Sequence, residues 1–269
     1  MLKTGPMNEQ NRISLPEQLK LQVEILKRVR DFCDEHGLRY YLSNGTLLGA
    51  IRHDGYIPWD DDIDIEMPRP DFNRLIELFH DQENLALVAP GDPASRYYYV
   101  KIYDTRTVKV EAGIVYHNDY LGVDIDVFPL DGSAPQAEEY EATRDRVFDL
   151  FNWYATIRCG ITGSLIDRLR VIYFMLCHNE RACLKEANAL CEQVPFDESL
   201  FATRYDQYTK GYRMSRDCYR TAIQKDFEGE LFSIPVGYDS VLRAQYGDYM
   251  QLPPVEKRIT HHNNAVFWK

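Results

Sequence analysis

Four acids, Asp60, Asp61, Asp62 and Asp64, fall within five positions of the segment Trp59-Asp60-Asp61-Asp62-Ile63-Asp64-Ile65. Two carboxylates about 4 Å apart repel by roughly 4 kcal/mol at an effective dielectric near 20. A chain that keeps such groups together neutralises them with protons, basic partners or a metal. Hard divalent cations take oxygen ligands, and phosphates commonly complete the shell of Mg²⁺. In a strand, residues two apart share a face. Asp62 and Asp64 then project together, and Ile63 and Ile65 face the core. Asp60 joins the acidic face if the strand starts that early. Asp61 falls on the apolar face and is read as solvated or capping, just before the strand. A merely solvated turn would have no need of Ile at alternate positions.

A second alternation, Val123-Asp124-Ile125-Asp126-Val127, puts Asp124 and Asp126 on one face. On a neighbouring strand this pair could supply a third carboxylate to the same cation. The alternative is pairing with basic residues at a sheet edge.

The elements that must position these acids are legible in outline. Ser14-Leu15-Pro16-Glu17 opens a helix, with Leu19, Val23, Leu26, Val29 and Cys33 at helical spacing and Gly37 at its end. Leu38 to Leu42 reads as a strand, Ser43-Asn44-Gly45-Thr46 as a tight turn, and Leu47 to His53 as a short helix. Pro68 and Pro70 stop the acidic strand, and Asp71 to His80 is helical. Further strands are expected at 97–104, 108–111 and 121–127, with Asp131-Gly132 closing this half. From about Glu138 to Lys225 the pattern is helical, without strong strand signals. The expected fold class is a mixed α/β (α+β) core sheet with flanking helices over residues 1–135. A mainly helical subdomain over 136–269 closes the cleft and ends in a C-terminal motif loop.

Composition bounds the function. With 31 basic and 42 acidic residues the net charge is −11, so a nucleic-acid surface is not expected. No run approaches the roughly 20 apolar residues of a membrane span. The best stretch, 171–177, is read as the buried face of a helix. Residues 1–7 are not read as a signal peptide. The six cysteines form no CxxC pair and are expected as free thiols. Cys177, His178, Cys183 and Cys191 match no common zinc spacing.

A Gly-Thr turn entering a helix, then Asp-x-Asp on the next strand and a later strand Asp, resembles the nucleotidyltransferase superfamily core. There, such a turn holds nucleotide phosphates. Backbone N–H groups at a helix N-terminus form an anion site, to which the Thr46 hydroxyl can add. More narrowly, Gly45-Thr46-Leu47-Leu48-Gly49-Ala50-Ile51-Arg52-His53 with Ile57-Pro58-Trp59-Asp60-Asp61-Asp62-Ile63-Asp64 resembles the LicD family. That family includes bacterial phosphorylcholine transferases and fukutin-type sugar-phosphate transferases. Residues 124–131 and 246–254 are similar to its later motifs.

The resemblance implies transfer of an alcohol phosphate from CDP-choline, or a related CDP-alcohol, to a hydroxyl of a cell-surface glycan or teichoic acid precursor, free or lipid-linked. Mg²⁺ or Mn²⁺ would be held by Asp62, Asp64 and Asp126, with Asp60 and Asp124 as further candidates. Asp126 is also a candidate base. Gly45, Thr46, Arg52 and Lys101 would bind nucleotide or phosphate. Trp59 and nearby tyrosines could box a quaternary ammonium. His53 is read as structural, and His261 and His262 as a solvated tail near Arg258. The implied place of action is cytoplasmic, at the inner face of the membrane, with peripheral membrane contact allowed. Two rivals remain. An EF-hand would need Gly and Glu where, counting from Asp60, Ile65 and Asp71 stand. A nucleotide-sugar transferase with an Asp-x-Asp site would show a longer Rossmann-like first half.

Overall fold

The computed structural model describes residues 8–80, 82–111, 121–159, 164–206, 212–260 and 264–269. Helix α1 (Leu15–His36) starts at Ser14, with Pro16 in its first turn, and ends at Gly37 in the left-handed region, φ 62°. The Ser14 side chain makes no capping hydrogen bond. Strand β1 (Tyr41–Leu42) is short, and α2 (Asn44–Arg52) begins where a turn was expected. β2 (Asp64–Pro68) runs straight into α3 (Arg69–Leu78), since Pro70 suits a helix start. Then come β3 (Leu85–Val88), β4 (Val100–Asp104), β5 (Thr107–Glu111) and the long β6 (Asp124–Ser133). Three helices follow, α4 (Ala137–Cys159), α5 (Leu165–Cys177) and α6 (Glu180–Cys191). The chain ends through β7 (Phe201–Arg204), β8 (Tyr212–Ser215), β9 (Ala222–Phe227), β10 (Glu230–Pro235), α7 (Tyr238–Tyr246) and β11 (Asn264–Trp268).

The main sheet is mixed, in the order β1-β2-β6-β4-β3, with β7 and β8 added along the far half of β6. β2 and β6 are parallel neighbours, whereas β4 lies antiparallel to β6. Two small ribbons, β9-β10 and β5-β11, complete the fold. The principal core packs α1, α2 and α3 on the sheet through residues such as Leu26, Val29, Leu47, Ile65 and Val127. A second core, with Tyr98, Phe128, Val147, Phe151 and Tyr154, lies under α4 and α6.

Several expectations are corrected. The buried stripe of α1 includes Gln18 and Gln22, while Leu19 and Val23 are only half-buried. Strands return from Phe201 onward, within the stretch read as helical. The expected buried face at 171–177 is exposed on α5, where Val171 is the buried residue. Asp131-Gly132 does not turn. β6 continues through it, because Asp131 is neutralised inside the sheet by Arg69 at the start of α3. Arg69 Nε donates to Asp131 Oδ1 at 2.6 Å and Nη2 donates to Oδ2 at 2.9 Å, with both residues buried. Arg69→Met would strand the carboxylate in the core, so it is expected to cost about 3–5 kcal/mol. Urea unfolding of the two proteins checks this.

Candidate active site

The acids meet where β2 and β6 lie side by side. Asp64 stands directly opposite Asp126 in the parallel register, and the Asp126 amide donates to the Ile63 carbonyl at 2.9 Å. Asp60 to Ile63 form an extended lead-in to β2 rather than part of the strand. Two cavities open here. One, of about 450 Å³, is lined by Asp61, Asp126, Lys101, Lys109 and Tyr97; the other, of about 690 Å³, by Gly45, Arg52, Trp59, Asp60 and Lys257. Asp62 and Asp64 line both, and so form the partition between them.

The electrostatics of this junction are unfavourable for ionised acids. Burial, and then the Asp62 and Asp126 carboxylates, push the Asp64 carboxyl well above its usual range. Burial, and then Asp62, push Asp60 up to about 8. The donor set is all oxygen, which fits a hard divalent cation. Among the described residues, however, no three His, Cys, Asp or Glu side chains stand gathered as a ready metal cage. Lys101 holds part of the set. Its Nζ donates to Asp124 Oδ2 at 2.7 Å and also to Asp126 Oδ1. Lys109 donates to the other oxygen of Asp124. Burial alone would raise Asp124, but the two ammoniums bring it down to about 2. Asp124 is thus occupied by both lysines and Asp126 by one of them, whereas Asp62 and Asp64 face the two cavities.

The structure separates the four residues read as phosphate ligands. Gly45 and Arg52 share the larger cavity. A side chain at Gly45 would meet the Asp60 carboxylate and have to push it aside, so glycine lets the helix start approach the acids as they stand. Arg52 donates from Nη1 to the Tyr249 carbonyl at 2.7 Å and from Nε to His53 Nε2 at 2.9 Å. Thr46 is buried and lines neither cavity; its hydroxyl accepts from the Asp64 amide at 2.9 Å. Lys101 belongs to the smaller cavity, its ammonium 4.8 Å from the Tyr97 ring centroid and 5.5 Å from that of Tyr99. The Trp59 face is covered by the Arg258 guanidinium at 5.5 Å. Residues 246–254 form much of the larger cavity's far wall. His261 and His262 lie outside the described residues.

Asp61 is buried, not solvated. Its carbonyl accepts from Gln18 Nε2 at 3.3 Å and Gln22 Nε2 at 3.1 Å, and Gln22 also donates to the Asp124 carbonyl at 3.2 Å. These two amides tie both acidic segments to α1. Glutamines one turn apart inside an apolar stripe were the signal for them. Glu66, two residues beyond Asp64 on the same face, is fully buried and accepts from Ser43 Oγ at 3.2 Å and Tyr212 OH at 2.8 Å. The Asp-Ile-Glu alternation carried that signal. Arg204 had none. Its Nη1 donates to Asn44 Oδ1 at 2.8 Å, and Asn44 Nδ2 donates to Asp64 Oδ2 at 2.8 Å. Asn44 holds this bridge with φ 45°, a left-handed conformation tolerated by Asn. The Arg204 guanidinium is seated 4.7 Å over the Phe128 ring.

A mixed sheet that brings strand-borne acids to a Gly-Thr helix start defines a nucleotidyltransferase-type domain. Residues 37–152 match the family model described as LicD/FKTN/FKRP, nucleotidyltransferase domain, so this part of the chain is a LicD-type domain. It is similar to the lipopolysaccharide cholinephosphotransferase LicD of Haemophilus influenzae, 28% identical over 270 residues, covering 95% of this chain and 98% of that protein. It is also similar to the human ribitol 5-phosphate transferase FKRP, 39% identical over 69 residues, 26% of this chain and 14% of that protein. The mannosyltransferase regulator 4 of Saccharomyces cerevisiae is 28% identical over 102 residues, 38% of this chain and 8% of that protein.

The raised Asp60 carboxyl makes stability depend on pH. The native state keeps this proton up to about pH 8, whereas the ordinary value is 3.8. Between about pH 4 and 8 the native state therefore binds more protons, and stability falls as pH rises. Asp124 acts in the other direction, but only below about pH 4. Metal-free protein should melt at lower temperature at pH 8 than at pH 5, with a shallower slope in Asp60→Asn. Calorimetry across that range checks it.

Proposed function

We propose that this chain is a divalent-metal-dependent phosphotransferase. It moves phosphocholine, or a similar alcohol phosphate, from a CDP-activated donor to a hydroxyl of a cell-surface glycan or teichoic acid precursor. The observation that carries this reading is the partition formed by Asp62 and Asp64 between two cavities, with Asp126 beside it. The LicD-type domain at residues 37–152 and the similarity to a cholinephosphotransferase over 95% of the chain support it.

In this reading the larger cavity takes the donor. The amides at the start of α2 and the cations Arg52 and Lys257 lie there to meet the diphosphate. Asp62, Asp64 and Asp126 would hold Mg²⁺ or Mn²⁺, which supplies charge neutralisation at the phosphates. The smaller cavity takes the acceptor. Its hydroxyl oxygen forms the new bond to the choline-bearing phosphorus, and the bond from that phosphorus to CMP breaks. The hydroxyl proton passes to the Asp126 carboxylate, which Lys101 orients. Asn44, held by Arg204, fixes the rotamer of Asp64. The reaction would run at the cytoplasmic face of the membrane, where activated nucleotides are made. Among the described residues no helix is long and apolar enough to cross a membrane.

A donor bound only by the native state raises stability by RT ln(1 + [L]/Kd), about 2.7 kcal/mol at a hundredfold excess over Kd. CDP-choline is expected to raise the melting temperature in the presence of Mg²⁺ and not in its absence. Asp62→Ala and Asp64→Ala should lose that shift and all transfer while keeping the fold, because removing a like charge relieves repulsion. A metal-dependent shift with CDP-ribitol or CDP-glycerol but not CDP-choline would keep the chemistry and change the headgroup. No shift with any CDP-alcohol, and transfer from a nucleotide-sugar instead, would overturn the reading. Arg204→Ala should cut kcat roughly a hundredfold, as a small misplacement of Asp64 does, with donor KM little changed. An unchanged kcat would remove Arg204 from the site's support.

A further inference from the structure

Helix α5 is turned inside out relative to an ordinary surface helix. Leu165, Leu169, Ile172 and Leu176 recur at the spacing of one helical face. They are 74%, 59%, 41% and 82% exposed, with Ile166 and Tyr173 beside them at 77% and 63%. The opposite side meets the body of the protein through Val171, which is buried, and Phe174, which is half-buried. Even that contact is loose. A cavity of about 460 Å³ lies between α4 and α5, lined by Phe148, Trp153, Val171 and Phe174 among others. The stripe is therefore not the outer edge of a packed core.

Charge flanks the stripe on both sides. Arg168 and Arg170 are exposed; on a helical wheel Arg168 borders the leucines on one side, and Arg170 lies beyond Ile166 and Tyr173 on the other, its guanidinium 5.6 Å over the Phe174 ring. The acid of the helix, Asp167, is taken up in capping the first turn, where it accepts from Ser164 Oγ at 2.6 Å. An apolar stripe between arginines is the pattern of a helix lying in the plane of a membrane. Its apolar face enters the acyl boundary and its cations reach the headgroups. At 13 residues, about 20 Å long, it can lie along the surface but not cross it.

We propose that α5 docks this protein on a bilayer bearing anionic headgroups. The net charge of −11 makes most of the surface repel such a bilayer. Adhesion is thereby confined to a face that combines exposed leucines with arginines. A bilayer also covers this wide convex face without the complementary groove that a protein partner would have to supply. Docking stands on these observations independently of the donor chemistry.

The test is co-sedimentation of the whole protein with vesicles of phosphatidylcholine alone, and of phosphatidylcholine mixed with phosphatidylglycerol. Binding to the mixed vesicles is expected to be stronger by roughly fivefold per arginine, about 25-fold for the pair, and to weaken with salt. Leu169→Glu with Leu176→Glu should abolish binding, and Arg168→Glu with Arg170→Glu should remove the preference for anionic lipid. All four sites are exposed, so unchanged melting temperatures are expected. Failure of the unmodified protein to sediment with mixed vesicles would overturn the proposal, as would leucine variants that bind like it. A dimer by light scattering that the leucine variant breaks, with no vesicle binding, would assign the face to a second copy of this chain instead.

Discussion

Charge repulsion among buried carboxylates is the constraint around which the rest of this structure is arranged. Two strands bring Asp64 and Asp126 into direct register, and the lead-in to one of them adds Asp60, Asp61 and Asp62. In a water-filled loop those charges would spread apart. Here the backbone forbids it, because Ile63, Ile65, Ile125 and Val127 anchor both strands in the core. The acids must then be countered in place by protons, by lysines or by a cation. The raised Asp60 and Asp64 carboxyls and the lysine-bound Asp124 are the first two of these solutions, seen side by side.

The division of labour among the cations follows from this. Lys101 and Lys109 are spent on Asp124 and Asp126 inside the smaller cavity. Arg52 and Lys257 lie on the other side of the partition, in the larger cavity. Gln18, Gln22, Thr46 and Asn44 act on the backbone or on single oxygens of the acids. They fix positions without changing net charge. A strongly acidic chain thus places two cations in each of two cavities, on either side of the same carboxylates.

Away from this junction the fold shows two other ways of handling awkward groups. Arg69 and Asp131 neutralise each other inside the main sheet and let β6 run on past a sequence that reads as a turn. Helix α5 does the reverse and leaves apolar groups outside. The first device shapes the core, and the second gives the surface a direction relative to whatever covers it.

The alternation Asp124-Ile125-Asp126-Val127 sufficed to place its two acids on one face, because side-chain direction in a strand is a local, period-two property, whereas of the first alternation only Asp64-Ile65 lies in β2. Gly37 was legible for the same reason, as a backbone constraint of a few residues, whereas the tight turn read at 43–46 is already the start of α2 and Pro70 lies inside the first turn of α3. Asn44 beside Asp64, Arg204 behind it, Lys101 as the partner of Asp124 and Asp126, and strands beyond Phe201 were not legible. Each depends on partners up to 160 residues away in the chain, and a lone Arg or Lys in a sequence carries no record of which carboxylate it will meet. The exposed face of α5 belongs with these. Periodicity shows that a helix has an apolar stripe, but only packing decides whether that stripe faces the core or the outside.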